Sequence, residues 1–306
     1  MSRDRGEVLL EVNRVSIRFG GLRALTDFDL EVRRGDLKGL IGPNGAGKTT
    51  AFNVLTGVYR PSSGEVRVHG RVVNGMKPHQ INRLGLARTF QNIRLFKELT
   101  ALENVKVACL SDARALFPRE RVEELRRGRG WTLLANGLDA VNNYYEWWRA
   151  ILLTPGFIRE EEAITRRAVA FLELMGLLHR RDEEARNLPY GEQRRLEIAR
   201  ALATNPKVLL LDEPAAGMNA REKGDLMALI RELKDRFSLG VLLIEHDTRL
   251  VMGICQEIAV LDHGDTIARG SPAEVRGNPK VIEAYLGEKY AQAHAHAAGR
   301  PGGGAG

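Results

Sequence analysis

The chain has 306 residues and a formal net charge of +7. Its 43% hydrophobic and 28% charged residues are ordinary for a globular protein, and the length allows a sizeable core of one to three domains. No uninterrupted apolar run approaches the roughly 20 residues of a membrane-spanning helix, and nothing behind Met1–Arg5 resembles a signal peptide, so the chain is not expected to cross a membrane by itself.

The basic balance admits nucleic acid, an anionic membrane surface or a phosphate-rich ligand. Much of it sits in Arg119 to Arg129, including Arg126, Arg127 and Arg129. A solvated helix face is the first reading of that run, and contact with lipid headgroups the second. Cys109 and Cys255 have no metal-ligand spacing around them and read as free thiols of a reducing cytoplasm.

Val8 to Phe19 alternates as a strand, and Ala24 to Val32 reads as another. Leu37 to Ile41 is a buried strand that runs into Gly42-Pro43-Asn44-Gly45-Ala46-Gly47-Lys48-Thr49-Thr50. This segment fits G-x-x-x-x-G-K-[ST], the phosphate-binding loop. Its glycines let backbone N–H groups form a nest for phosphate oxygens. Lys48 brings a positive charge for the terminal phosphates, Thr49 a hydroxyl for Mg²⁺. A helix starting near Lys48 aims its positive dipole end at the same anion.

Glu65 to His69 and Arg71 to Val73 flank Gly70 as a hairpin. From Leu99 to Asn187 helical signals dominate, with Glu161 to Leu178 carrying apolar residues at helical spacing. Tyr144, Tyr145, Trp147 and Trp148 mark either a partner surface or the packing of an inserted helix. Val208 to Leu211 is an apolar strand ending at Asp212-Glu213, and Val241 to Ile244 ends at Glu245-His246. Ile258 to Leu261 and Thr266 to Arg269 form a hairpin around His263-Gly264-Asp265. Strands between helices, with acidic or polar residues at their carboxyl ends, predict a mostly parallel α/β sheet with its ligand at that edge. The Ala/Gly/His tail from Ala291 reads as disordered, and His294 and His296 lack the partners of a metal site.

An acidic strand end places the Asp212 carboxylate beside the metal of a bound nucleotide. Glu213, one residue on, stands where it can polarise an attacking water. Together with the phosphate loop upstream, this pair points to nucleotide triphosphate hydrolysis.

The joint order of motifs resembles the ATP-binding subunit of an ABC transporter. Leu188-Pro189-Tyr190-Gly191-Glu192-Gln193 through Arg200 resembles that family's signature before the acidic strand. Gln91 stands at its Q-loop position, His246 at its switch histidine, and Phe19 where the family stacks an aromatic on adenine. The resemblance covers about Val8 to Gly287 and implies an ABC-type P-loop NTPase fold: an α/β core, an antiparallel β subdomain and an inserted helical subdomain. Residues 7–98 and 188–287 would form the core, residues 99–187 the insertion, and residues 288–306 a disordered tail.

It further implies ATP and Mg²⁺ as cofactors. Gly42 to Thr50 would bind the phosphates; Thr49, Gln91 and Asp212 would arrange the metal. Glu213 would be general base and His246 would contact the γ-phosphate. Tyr190, Gly191 and Glu192 would complete the site of an opposing subunit. Two departures stand out: Pro189 replaces the signature serine, and Asn219 stands where aspartate is common.

Tyr190 to Arg200, Arg88 to Phe96, Asp212 to Asn219 and Ile244 to Asp247 resemble most the ATPases of branched-chain amino acid importers. The implied partners are a second ABC ATPase subunit, identical or related, two membrane permease subunits and, indirectly, a periplasmic or extracellular solute-binding protein. No nucleic acid is expected. The implied place is peripheral, on the cytoplasmic face of the cell membrane. The alternatives are an ATPase for lipid or lipopolysaccharide export and a non-transport ABC ATPase acting on nucleic acid or the ribosome.

Overall fold

A computed structural model describes residues 6–110 and 155–285, the side chains of residues 155–157 apart. The arginine run at 119–129, the aromatic cluster at 144–148 and the tail from 291 lie outside the described residues. The chain divides into two compact units, Met1–Arg94 with Asn205–Gly306, and Leu95–Thr204. The signature segment therefore belongs to the second unit.

The first unit holds two sheets. One has four antiparallel strands in the order β2 (Leu22–Arg33), β1 (Val8–Phe19), β4 (Ser63–Val68), β5 (Arg71–Val72). His69 and Gly70 both take positive φ, 49° and 71°, between β4 and β5. That is the backbone a two-residue hairpin turn demands. The other sheet runs β10 (Asp265–Gly270), β9 (Glu257–Asp262), β3 (Leu37–Ile41), β8 (Gly240–Ile244), β7 (Val208–Asp212), β6 (Leu86–Arg88). Its strands are parallel except for the β9–β10 hairpin.

Every residue of β3, β7 and β8 is buried. Strands buried along their whole length are covered on both faces, as parallel strands require. The shared core joins Leu10 and Phe28 of the antiparallel sheet to Phe52, Leu210 and Leu242. β3, β7 and β8 finish side by side, so their carboxyl ends bring Gly42, Glu213 and Glu245 to one edge. β6 was not foreseen. It is three residues long behind Gly85, too short to show a period.

The second unit contains helices Ala101–Cys109, Pro155–Leu174 and Tyr190–Ala203, packed on one another. The sequence predicted a helix from Glu161 to Leu178. The helix instead runs from Pro155 to Leu174, and Gly176 at φ 69° turns the chain before a short 3₁₀ turn at Leu178–Arg180. Arg194 and Glu197, one turn apart on Tyr190–Ala203, form a fully buried ion pair at 2.7 Å.

Candidate nucleotide site

The phosphate loop is set by close approaches that exclude a side chain. Gly42 has φ 153°, and a Cβ there would lie 2.1 Å from the carbonyl oxygen of Leu261. Gly47 has φ 102°, and its Cβ would lie 2.6 Å from the carbonyl oxygen of Ala24. Only glycine fits both the dihedral and the gap. The β9–β10 turn clasps the loop from outside: Gly264 N–H donates to Ala46 at 3.0 Å, and Thr26 N–H donates to Gly264 at 2.9 Å.

The helix Lys48–Leu55 opens straight from this loop, with Gly47 left-handed at its N-cap and no capping side chain or acidic residue in its first turn. Its first amide donors and its dipole are thus directed at an anion rather than at its own side chains. Lys48 is buried and donates from Nζ to the carbonyl oxygens of Gly42 at 2.6 Å and Pro43 at 2.8 Å. It ties the loop's two ends together.

The strand ends supply the rest. Glu213 follows β7 in a left-handed conformation at φ 47°, and its N–H donates to Ile244 of β8 at 2.9 Å. Strain of this kind at a polar residue concentrates at functional sites. Gln91 donates from Nε2 to Glu213 Oε2 at 2.9 Å, and His246 Nε2 lies 2.5 Å from Oε1. Glu245, next to His246, is buried and accepts from the Ala215 N–H at 2.7 Å. Burial pushes its carboxyl above the ordinary range; the Ala215 bond opposes this and the Glu213 charge adds to it. Asp212 is nearly inaccessible, and its Oδ2 accepts from Arg88 Nη2 at 2.7 Å.

These parts surround a cleft of about 460 Å³. Asn44 to Thr50, Phe19, Gln91, Glu213 and His246 line it. Phe19 is half exposed, with Tyr59 edge-on at 5.1 Å between ring centroids. Gly42 and Pro43 are behind the lining and hold Lys48; Asp212 is also behind it. His263 and Arg23 line the cleft as well, though the sequence reading did not single them out. His263 sits in the tip of a predicted hairpin, which was the one available signal.

Tyr190, Gly191 and Glu192 belong to the second unit. Pro189 caps the helix Tyr190–Ala203 without a side-chain bond. Arg194 reaches back from Nη2 to the Tyr190 hydroxyl at 3.2 Å, and Arg180 lies 3.2 Å from Glu192. Asn219, where aspartate is common, is the N-cap of the helix Ala220–Phe237 and accepts from the Glu222 N–H.

A nest of loop amides, a lysine and a helix N-terminus suit a polyphosphate. The hydroxyl of Thr49, the amide oxygen of Gln91 and the Asp212 carboxylate are hard oxygen donors, the chemistry that Mg²⁺ takes beside phosphates. The donor set therefore fits a magnesium nucleotide.

The family model for ABC transporters matches residues 25–216, well over half of the chain. The chain belongs to the ABC transporter ATP-binding family. A second model, for the branched-chain amino acid ATP-binding cassette transporter, matches residues 266–291. The chain is 45% identical over 280 residues to the high-affinity branched-chain amino acid transport ATP-binding protein LivG of Salmonella typhimurium, covering 92% of this chain and 98% of the relative. It is 43% identical over 280 residues to BraF of Pseudomonas aeruginosa, again over 92% and 98%. Among solved structures it is similar to a nucleotide-free ATP-binding cassette from an ABC transporter, with a TM-score of 0.71, 28% identity and coverage of 91% and 98%. The ADP conformation of such a cassette gives 0.70, 30% and coverage of 92% and 99%.

The fold is thus that of an ABC cassette, and the chain is an ATP-binding ATPase of a transporter complex. Among the described residues no helix is long and apolar enough to cross a membrane.

Proposed function

We propose that this ATPase drives import of branched-chain or related hydrophobic amino acids. The observation that carries the reading is identity of 45% to LivG across nearly the whole of both chains. The match at residues 266–291 lies beyond the residues that the general ABC transporter model matches and supports the same substrate class. Neither lipid export nor action on nucleic acid draws comparable support.

In this reading Phe19 stacks on adenine and the amides of Gly45 to Thr50 hold the phosphates. Thr49, Gln91 and Asp212 hold Mg²⁺, which offsets charge on the phosphate oxygens. Glu213 takes a proton from the lytic water, while Gln91 and His246 orient its carboxylate. His246 then contacts the γ-phosphate. Tyr190, Gly191 and Glu192 complete the site of a facing ATPase subunit, identical or related. ATP drives closure only to the extent that it binds the closed pair more tightly. The closure passes to two permease subunits, with the ATPase on the cytoplasmic face of the membrane. The permeases receive substrate from a solute-binding protein outside.

Co-purification from solubilised membranes, followed by uptake of radiolabelled leucine in the reconstituted complex, tests the proposal. ATP-dependent leucine uptake that Lys48→Ala abolishes is the expected result. A complex that moves lipid and leaves leucine outside would overturn it.

A further inference from the structure

Arg88 is an unusual side chain to be buried on the edge strand of a sheet. Its side chain is 6% exposed, on the short strand β6 three residues before Gln91. One arm of the guanidinium donates from Nη2 to Asp212 Oδ2 at 2.7 Å. The other donates from Nη1 to Asn53 Oδ1 at 2.7 Å and Thr56 Oγ1 at 3.3 Å, both on or just after the helix that the phosphate loop opens. The ring centroids of Phe52 and Phe90 lie 5.5 and 5.0 Å from its central carbon. Burying a guanidinium is costly unless its charge is met; here both terminal nitrogens have acceptors and two aromatic rings lie near its central carbon, while Nε makes no hydrogen bond among the described residues.

The three proposed metal-arranging residues stand on three separate segments. Thr49 is on the helix Lys48–Leu55, Asp212 ends β7, and Gln91 follows β6. Arg88 bonds to two of those segments while belonging to the third. A lysine would supply the charge but not the planar fork that spans both. The fork holds Oδ2 of Asp212 and so restrains the carboxylate's rotation.

We propose that Arg88 is a positioning residue for Mg²⁺: it fixes the Asp212 carboxylate against the phosphate-loop helix and so couples metal binding to ATP binding. The inference rests on the reading of Asp212 as a metal-arranging residue.

The test is the ratio of ATP affinity in Mg²⁺ to that in EDTA, measured with a fluorescent ATP analogue on the full-length chain. Loss of mere structural support would weaken both affinities together and leave the ratio alone. Arg88→Met is expected to lower the ratio about tenfold, the usual cost of removing a group that orients a metal ligand, while the EDTA affinity stays within about twofold. Asn53→Ala removes one arm's partner without touching Asp212 and is expected to lower the ratio less. Arg88→Lys is expected to fall between wild type and Arg88→Met. Should Arg88→Met fail to fold, Asn53→Ala and Arg88→Lys decide. Asp212→Ala separates the two claims. If it lowers the ratio while the Arg88 and Asn53 variants keep the wild-type value, Arg88 has no such role. If Asp212→Ala also keeps the wild-type value, the reading of Asp212 falls, and the inference with it.

Discussion

His246 Nε2 lies 2.5 Å from Oε1 of Glu213, while Gln91 holds Oε2 of the same carboxylate at 2.9 Å. Both oxygens of the proposed base are therefore engaged from opposite strand ends, and a water reaches the carboxylate only by sharing or displacing one contact. His246 is the more accessible partner, with 49% of its side chain exposed. His246→Ala should free Oε1 yet lose the γ-phosphate contact. Hydrolysis is expected to fall on the order of 100-fold, with ATP affinity nearly unchanged. Steady-state kinetics together with equilibrium binding checks this.

Lys48 braces its own loop through the Gly42 and Pro43 carbonyls. Lys48→Ala removes that brace and the charge facing the phosphates. Binding of ATP is expected to weaken by about 2–3 kcal/mol, on the order of 100-fold, because hydrogen bonds to charged groups are worth that much. Isothermal titration of ATP into the variant measures it.

The glycines of the loop should differ in their tolerance. Gly47→Ala forces a Cβ to 2.6 Å from the Ala24 carbonyl oxygen at φ 102°, so the loop must move. A loss of about 2 kcal/mol or more in stability is expected, with ATP binding impaired. At Gly45, φ is 79° but the space is open. Gly45→Ala is expected to cost only about 1 kcal/mol from the left-handed backbone. Urea unfolding of the two variants compares them.

Burial raises the Glu245 carboxyl, with the Ala215 bond opposing and the Glu213 charge reinforcing the shift. A raised acid favours the folded state fully below its unfolded value, and that contribution is lost as pH climbs through the folded value. Glu245→Gln keeps an oxygen to accept from Ala215 and removes the charge. Its Tm is expected to exceed wild type at pH 8 and to converge with it at pH 4. Thermal melts at the two pH values decide.

Much of the site could be read in the sequence because its parts are local. The phosphate loop and the Asp212-Glu213 strand end each carry their chemistry within a few residues, whereas the role of His246 came from family resemblance. Gln91 was placed only by family resemblance, since its bond to Glu213 spans 122 residues. The Arg88–Asp212 pair spans 124 residues and left no local mark: a lone arginine in a three-residue strand shows no period, and its meaning depends on which strand lies beside it. His263 was equally hidden, because only the clasp of the β9–β10 turn on the phosphate loop brings it to the cleft. Helix ends were misread where a single glycine, Gly176, outweighed the apolar spacing that continued past it.

Rapid-quench hydrolysis by Glu213→Gln, with ATP affinity measured on the same preparation, tests the assignment of the catalytic base most directly. The expected result is ATP bound as tightly as by wild type and a hydrolysis rate lower by about 100-fold or more. Hydrolysis at the wild-type rate would contradict it.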